Sequence, residues 1–279
     1  MMIVAEIGGN HFGHFARAVR LIDAAKEAGA DAVKFQCFSP NQMADHGVVI
    51  ESGPWAGREL LDLYQETYTP REWFPHLFHY ARRLDMLPFS SVFHPDDVDF
   101  LQTIDCPIYK ISSFELTDRR LIRHAGETGK PVIISTGMAT RAEIFDAVVS
   151  ASAPHNKFPT LLKCTSAYPS QPADANLASM RALGTICGCA FGLSDHSLTT
   201  AIPVAAAALG ATVIEKHLTI NRMDGGPDAG FSLEPDEFAK MVADVRDAVA
   251  SIGCVQYGPL DSEASSLPFR RQSGGKRGG

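Results

Sequence analysis

Residues 2–38, MIVAEIGGNHFGHFARAVRLIDAAKEAGADAVKFQCF, contain one complete strand–helix–strand pattern. The segment begins with a short apolar run, Met2–Gly8, and ends with another, Ala32–Phe38. Between these runs, Phe15–Ala28 repeats apolar residues at helical spacing and stops before Gly29. Short runs rich in Val, Ile and Phe are typical of strands that are buried on both faces. The segment therefore predicts two parallel strands joined by a helix.

The same pattern continues through most of the chain. Eight strand-like runs, each followed by a helix-like segment, predict an α/β fold of the TIM (β/α)8 barrel type. A doubly wound open sheet is the alternative, and it is disfavoured because no GxGxxG motif follows the first run. The six further runs are Leu87–Phe93, Ile108–Ser113, Val132–Thr136, Thr160–Thr165, Phe191–His196 and Val213–Thr219.

The composition narrows the class of protein. The chain has 279 residues, of which 45% are hydrophobic and 20% charged, as in ordinary globular proteins. Its formal net charge of −7 gives no support to a nucleic-acid or membrane-surface partner. The six cysteines lack the paired spacing of a zinc site. Because neither a signal peptide nor a long apolar stretch is present, we expect a cytoplasmic protein.

The barrel is expected to occupy residues 1–253. Its last helix-like segment, Pro235–Ile252, opens with a proline at a first-turn position and repeats apolar residues at helical spacing. Beyond it the pattern dissolves, so residues 254–279 are interpreted as a C-terminal tail or a truncated linker. The final residues, SGGKRGG, have a composition typical of disorder.

Polar or ionisable residues end every one of the eight runs, at the position where a parallel barrel places its active site. Lys34, Lys110 and Lys163 lie inside apolar runs. Because an unpaired buried ammonium is costly, each lysine needs an anionic ligand or a carboxylate partner, and for a single lysine both remain open. As a set, two lysines and three hydroxyls suit a phosphate: Lys34, Lys110, Ser113, Ser135 and Ser194.

His196 and His217 end the seventh and eighth runs, which are adjacent in a barrel. Two imidazoles that face one site suit a divalent transition metal with coordination positions left open for substrate. A single histidine is more often a satisfied core or surface residue. The remaining histidines outside the strand ends are interpreted in that way: His14, His46, His76, His79, His94, His124 and His155.

Eight motifs give the chain a family resemblance that covers about residues 2–270. They are AEIGGNH, AGADAVKFQ, YKISS, ISTGM, LKCTSAYP, GLSDHS, EKHLT and GGPDAGFSLEP, and they follow one another as in the sialic acid synthase family. Three segments are most similar to the pseudaminic acid synthase branch: GPWAGRELLDLYQETYTPREW, YKISSFELTD and LLKCTSAYPS. Ala229 also follows GPD, where N-acetylneuraminate synthases usually carry histidine.

The resemblance implies a TIM barrel followed by a small antifreeze-like domain. It also implies a reaction in which phosphoenolpyruvate condenses with the aldehyde of an open-chain acetamido sugar, yielding a nine-carbon 2-keto-3-deoxy acid and phosphate. The implied cofactor is a divalent metal ion, commonly Mn²⁺, with Mg²⁺ or Co²⁺ as alternatives. The implied assembly is a homodimer.

The resemblance also assigns roles to residues. His196 and His217 would bind the metal and take part in catalysis. Lys34, Lys110, Ser113, Ser135 and Ser194 would hold phosphoenolpyruvate, with Ser91 and Ser166 as weaker matches. The remaining matches would face the sugar or the reacting centre: Glu6, Gln36, Glu115, Tyr168 and Asp228. The carboxylate that assists water addition can be either Glu115 or Glu6 on this evidence.

The chain departs from the family pattern at several positions. SSVFHPDD stands where the family usually has STPFD, so Ser91 replaces a threonine and His94 an aspartate. Ser166 stands where asparagine is frequent. The sequence also stops where the second domain is expected to begin. We therefore expect a barrel that dimerises, binds donor and metal, and holds its acceptor weakly.

The pseudaminic-type motifs imply that the acceptor is a 2,4-diacetamido-2,4,6-trideoxyhexose rather than N-acetylmannosamine. By the same resemblance, Ala229 in place of histidine removes a polar side chain near the sugar, which suits a less hydroxylated acceptor. Two alternatives remain. One is another phosphoenolpyruvate-dependent aldol synthase with a different acceptor, although the strand ends lack the arginine cluster that a sugar phosphate needs. The other is a catalytically weak barrel retained for binding.

Overall fold

The structure, a computed structural model, describes residues 1–153, 155 and 157–271. Its eight parallel strands form a closed barrel in which each strand pairs with the next and β1 pairs with β8. The strands are β1 Met2–Glu6, β2 Ala32–Cys37, β3 Leu87–Val92, β4 Tyr109–Ile111, β5 Val132–Ser135, β6 Thr160–Cys164, β7 Phe191–Asp195 and β8 Val213–His217. The predicted TIM-barrel fold is therefore confirmed.

Helices surround the barrel and follow each strand. They are α1 Phe15–Glu27, α2 Pro40–Met43, α3 Leu60–Thr67, α4 Phe74–Arg83, α5 Pro95–Thr103, α6 Arg119–Glu127, α7 Arg141–Ser152, α8 Leu177–Cys187, α9 Ala201–Ala208 and α10 Pro235–Ile252. Short 3-10 turns occur at Gly8–His11, Arg71–Trp73, Pro172–Asp174, Arg222–Asp224, Ala229–Phe231 and Asp261–Phe269. The helix expected at Phe15–Ala28 ends one residue earlier, and α10 has the predicted bounds.

The strands are largely apolar because helices cover one face and the barrel interior buries the other. Outward-facing residues such as Val33 and Phe35 pack beneath the helices; Phe35 lies against Phe74 and Phe78 with ring centroids 6.1 and 5.9 Å apart. The interior is apolar near the strand starts and becomes polar toward their C-terminal ends. The register aligns Glu6 with Lys34 on one side and with His217 on the other. Residues distant in sequence thus meet at one end of the barrel.

The connection between β2 and β3 is the longest in the barrel. It contains α2, α3 and α4, and residues 44–59 pass over the C-terminal ends of the strands. Trp55 anchors this passage because its indole N–H donates to the Pro227 carbonyl oxygen at 2.9 Å. The Trp55 ring also lies 5.3 Å from that of Tyr168. Two distant segments are thereby joined above the barrel opening.

The chain leaves the barrel after α10. Every residue from Gly253 to Arg271 is exposed, including the 3-10 turn at Asp261–Phe269. The expected disorder of the final SGGKRGG falls outside the described residues. Within the described part of the chain, no helix has the length and apolar character that a membrane span requires.

Candidate active site

Two buried lysines and one buried glutamate form the floor of a cavity at the C-terminal end of the barrel. Lys34 on β2, Lys110 on β4 and Glu215 on β8 are exposed by only 3%, 2% and 5%. The Glu215 Oε1 atom lies 3.8 Å from the Lys34 Nζ atom and 3.7 Å from the Lys110 Nζ atom. One carboxylate is therefore shared between two ammonium groups.

These charges shift one another's pKa. Burial acts to lower the pKa of Lys34, but the carboxylates of Glu215 and Glu6 outweigh it, so the pKa lies above its ordinary value. For Lys110, burial prevails over the attraction of Glu215 and the pKa is lowered. Burial acts to raise the pKa of Glu215, yet both lysines together hold it below its ordinary value. These shifts favour the ionised carboxylate of Glu215 between the two lysines.

Glu6 lies on β1 beside this floor. Its carboxylate contacts the Lys34 Nζ atom and accepts a hydrogen bond of 2.9 Å from the Gln36 side-chain amide. Burial, only partly offset by Lys34 and reinforced by the nearby Glu215 charge, raises the pKa of Glu6 to about 7. Glu6 supports Lys34 and Gln36 from behind, and its side chain is not part of the cavity wall.

Serine hydroxyls surround the two lysines. Lys34 donates to Ser91 Oγ at 2.9 Å and Lys110 donates to Ser135 Oγ at 2.7 Å. Ser194 donates to Glu215 Oε1 at 3.0 Å, and Ser113 accepts from the Gly137 backbone amide at 3.0 Å. Hydroxyls and ammonium groups directed at one cavity form a suitable environment for a phosphate or carboxylate.

His196 and His217 lie beside this floor, at the ends of β7 and β8, with ring centroids 5.4 Å apart. The Nδ1 atom of His196 lies 2.9 Å from the Thr165 carbonyl oxygen. Since a carbonyl only accepts, Nδ1 carries the hydrogen, and in the neutral ring Nε2 has a lone pair. Burial acts to lower the pKa of His196, but the neighbouring Cys164 outweighs it and the pKa is raised. Among the described residues, the buried Nδ1 atom of His217 has no hydrogen-bond partner. Burial and the neighbouring His196 lower the pKa of His217 well below its ordinary value, so it is a neutral imidazole.

Asp228 approaches His217 from the loop that precedes α10. Its Oδ2 atom lies 3.9 Å from His217 Nδ1 and accepts a hydrogen bond of 2.8 Å from the Gly9 backbone amide. This approach requires glycine at position 8, because a Cβ atom there would lie 2.3 Å from Asp228 Oδ2. Gly8 also has a φ of +50°, in the region that glycine favours. The GG pair after β1 therefore positions this carboxylate.

The cavity has a volume of about 420 Å³ and joins the polar floor to an apolar wall. Glu115 lies at its edge; it accepts a hydrogen bond from Ser112, and burial raises its pKa. The rings of Tyr168 and Phe231 stand next to the histidines, with the Tyr168 and His196 centroids 4.4 Å apart. The apolar wall comprises Met43, Ile50, Leu60, Leu63, Phe93 and Phe114. One side of a bound molecule would therefore meet charge and the other hydrocarbon.

Twelve of the fourteen residues expected at a site line this cavity. They are Lys34, Gln36, Ser91, Lys110, Ser113, Glu115, Ser135, Tyr168, Ser194, His196, His217 and Asp228. Glu6 lies behind the floor, as described above. The Ser166 hydroxyl is buried without a hydrogen-bond partner and is also not part of the wall. Their roles toward a ligand stay predictions.

Lys163 belongs to a different surface. Its Nζ atom donates to the Cys164 carbonyl oxygen at 2.8 Å and to Thr165 Oγ1 at 3.2 Å. It lines a neighbouring groove between α7 and α8. Of the three lysines found inside apolar runs, Lys34 and Lys110 therefore line the cavity and Lys163 does not.

Glu215 and Trp55 are the principal cavity residues that the sequence did not single out. Glu215 is part of EKHLT, where it is one of several ionisable residues at a strand end, so only its place between two lysines distinguishes it. Trp55 lies in a long connection whose path no periodicity predicts. A signal existed only for Glu215, as a carboxylate two residues before His217 and thus on the same face of the strand.

The fold and the cavity together define a (β/α)8-barrel enzyme whose cavity combines buried lysines and serine hydroxyls with a pair of histidines. The chain belongs to the NeuB family, which it matches over residues 21–257. The family membership predicted from the motifs is thereby confirmed.

Relatives of known activity are similar over most of this chain. A pseudaminic acid synthase of Helicobacter pylori is 42% identical over 255 residues, covering 90% of this chain and 75% of the relative. A pseudaminic acid synthase of Campylobacter jejuni serotype O:2 is 40% identical over 274 residues, covering 97% and 79%. The crystal structure of an N-acetylneuraminic acid synthetase of Leptospira borgpetersenii, in complex with citrate, superimposes with a TM-score of 0.86. It is 32% identical and covers 96% of this chain and 90% of that one.

Proposed function

We propose that this chain condenses phosphoenolpyruvate with the aldehyde of an open-chain acetamido sugar, yielding a nine-carbon 2-keto-3-deoxy acid and inorganic phosphate. The main support for the proposal is that one cavity contains both a pair of buried lysines and a pair of histidines. Lys34 and Lys110 provide buried positive charge for an anionic donor, and His196 and His217 stand beside them. The relatives named pseudaminic acid synthase support the same chemistry.

The donor would occupy the floor. Phosphoenolpyruvate carries a phosphate and a carboxylate, so its binding requires positive charge that leaves C3 accessible. Each lysine donates to one serine hydroxyl and one further oxygen in the described residues: Lys34 to Ser91 and Glu6, Lys110 to Ser135 and the Ile111 carbonyl. An ammonium has three N–H groups, so one on each lysine is available for the donor.

A divalent metal fits the histidine pair. In its neutral form His196 has a lone pair on Nε2, and the buried Nδ1 atom of His217 has no hydrogen-bond partner among the described residues, which supports a ligand role for both imidazoles. The described residues contain no group of three or more His, Cys, Asp or Glu side chains arranged for a metal. The proposed metal ligands are the two histidines alone: His196 and His217 would hold Mn²⁺, or Mg²⁺ or Co²⁺, with other positions open to substrate. When bound, such an ion polarises the acceptor aldehyde.

The reaction forms one bond between donor C3 and the aldehyde carbon. Water then adds to donor C2, and the C–O bond to phosphate breaks as the ketone forms. A carboxylate that removes the proton from this water must reach the cavity. Glu115 lines it, whereas Glu6 lies behind Lys34 and Gln36. We assign the base to Glu115, because its carboxylate lines the cavity and burial raises its pKa above the ordinary value, and a positioning role to Glu6.

The apolar wall supports a methyl-rich acceptor. A 2,4-diacetamido-2,4,6-trideoxyhexose carries two acetamido methyl groups and a C6 methyl group, which can pack against Ile50, Leu60 and Phe93. N-acetylmannosamine presents a polar C6 hydroxyl instead, which would lose hydration there without a partner.

We further propose that two copies associate through the barrel and that the enzyme acts in the cytoplasm.

A phosphate-release assay tests the proposal. The full chain is incubated with phosphoenolpyruvate, Mn²⁺ and each member of a panel of acetamido sugars, with a hexose phosphate as the control acceptor. We expect a higher kcat/KM for the diacetamido trideoxyhexose than for N-acetylmannosamine. Preference for the sugar phosphate would establish another aldol synthase, and donor binding without phosphate release from any acceptor would establish a binding barrel.

A further inference from the structure

Glu215 in the cavity floor lies within ion-pair distance of both lysines but forms a hydrogen bond with neither. Its Oε1 atom is 3.8 Å from Lys34 Nζ and 3.7 Å from Lys110 Nζ, longer than a hydrogen bond in both cases. The Ser194 hydroxyl donates to the same oxygen at 3.0 Å and holds it in place. The three charged residues come from β8, β2 and β4.

The two lysines depend on Glu215 to different degrees. Lys34 also contacts the carboxylate of Glu6. Lys110 has no carboxylate other than that of Glu215 within 4.0 Å among the described residues. A buried ammonium without a counter-ion is strongly disfavoured and gives up its proton. Without Glu215, two buried ammonium groups would repel one another and Lys110 would be the one to lose its charge.

The arrangement also leaves hydrogen-bonding capacity for a ligand. Because Glu215 attracts both lysines through space rather than through hydrogen bonds, it does not use up their N–H groups. Its Oε2 atom is itself buried without a hydrogen-bond partner. A counter-ion at hydrogen-bond distance uses an N–H group that an incoming anion could bind, as Glu6 does on Lys34, whereas Glu215 at 3.7–3.8 Å uses none on either lysine.

We propose that Glu215 is a positioning residue for the donor: it keeps Lys34 and Lys110 charged and correctly spaced for the phosphate and carboxylate of phosphoenolpyruvate. The proposal rests on the proposed function, since phosphoenolpyruvate is the anion concerned. The expected change in donor affinity is opposite in direction to simple charge attraction. Removing a negative charge from an anion-binding floor should weaken anion binding, because the loss acts through Lys110.

The test is calorimetric titration of phosphoenolpyruvate into the full chain with Mn²⁺ and without acceptor. Glu215→Gln keeps the shape and an acceptor for Ser194 but removes the charge. We expect the donor Kd to rise about 10- to 100-fold, the range for loss of one charge-assisted contact. Asp244→Asn is the matched control, because it removes the charge of a carboxylate that pairs with Lys240 on α10; its donor Kd should equal that of the wild type.

A double-mutant cycle separates positioning from a merely structural role. If Glu215 acts through Lys110, then Lys110→Met/Glu215→Gln should bind the donor no more weakly than Lys110→Met alone. In steady state, Glu215→Gln should raise the donor KM while the acceptor KM stays within about twofold, and Glu215→Asp should restore part of the donor affinity.

The outcomes distinguish the inference from the proposed function. A wild-type chain that does not bind phosphoenolpyruvate overturns both. A wild type that binds it, with Glu215→Gln binding equally or more tightly, overturns the inference alone, as do fully additive effects in the cycle. If Glu215→Gln does not fold, Glu215→Asp carries the test, since a shortened carboxylate that leaves the donor Kd unchanged contradicts the inference.

Discussion

Buried lysines on the two faces of the barrel wall have contrasting environments. Lys216 on β8 faces away from the cavity; its Nζ atom donates to Asp195 Oδ2 at 2.5 Å, to the Ser197 carbonyl oxygen, and to Ser197 Oγ at 3.3 Å. All three of its N–H groups are used. Lys34 and Lys110 face the cavity and share Glu215 at a longer distance.

The difference predicts which buried lysines support the fold and which bind a ligand. Both kinds of lysine are almost fully buried, so burial alone does not distinguish them. A lysine whose hydrogen bonds are complete stabilises the fold, whereas a lysine with a free N–H group directed at a cavity can bind a ligand.

The histidines repeat this contrast. His11 is fully buried; its Nδ1 atom accepts from the Gly13 amide at 3.1 Å, so Nε2 carries the hydrogen and donates to Thr69 Oγ1 at 3.0 Å. His217 is buried with an unpartnered Nδ1 atom beside a second imidazole. We therefore assign His11 to the fold and His217 to the site.

The largest effect should come from the cavity histidines. His196→Ala or His217→Ala should lower turnover by at least about 100-fold, since the bound metal is expected to contribute several kcal/mol to the barrier. Metal content measured by plasma emission should fall in parallel, while the melting temperature stays close to that of the wild type. A His196→Ala/His217→Ala variant that keeps full activity after chelation would contradict the assignment.

Lys216→Met tests whether the lysine that faces away from the cavity stabilises the fold without contributing to donor binding. Removing one partner of a buried ion pair leaves Asp195 uncompensated, so the free energy of unfolding should fall by about 3–5 kcal/mol. Urea denaturation measures this loss. Donor Kd should remain within about twofold of the wild type under conditions where the variant is folded, and a large rise would place Lys216 in the binding site instead.

Lys34→Met and Lys110→Met should each weaken binding of phosphoenolpyruvate by about one to two orders of magnitude, because each removes one charge-assisted contact. Calorimetric titration in the absence of acceptor gives the dissociation constants. Unchanged donor affinity in both variants would remove the distinction between cavity and outer lysines.

The smallest effect concerns acid stability. Burial, together with the neighbouring His14, lowers the pKa of His11 to about 4 from an ordinary value of 6.5. The unfolded chain therefore binds this proton more readily, so wild-type stability falls as the pH drops from about 6.5 toward 4, by roughly 2 kcal/mol. His11→Gln should lack this part of the pH dependence in denaturation measured from pH 7 to 4.5. Its turnover at pH 7.5 should match the wild type, and an equal pH dependence in both proteins would refute the assignment.

The sequence alone determined the barrel, because strands covered on both faces are largely apolar and become polar only toward the end that carries the site. The runs at Met2–Gly8 and Val213–Thr219 contain β1 and β8, and the helical repeat at Pro235–Ile252 matches α10. It also placed most candidate site residues correctly at one cavity, since strand ends of a parallel barrel converge wherever the fold is known. Boundaries were less certain where strands are short: Ile108–Ser113 contracts to Tyr109–Ile111.

Only the tertiary structure decided which of these residues act on one another. Lys34, Lys110 and Glu215 lie on three strands separated by more than seventy residues, and no periodicity encodes a distance of 3.7 Å between their charges. Glu6 and Glu115 are a second example. The sequence could not choose between them as the base, but in the structure only Glu115 lines the cavity. Local patterns report whether a side chain is buried; hydrogen-bond completeness depends on long-range packing, and it is this that separates Lys216 from Lys110.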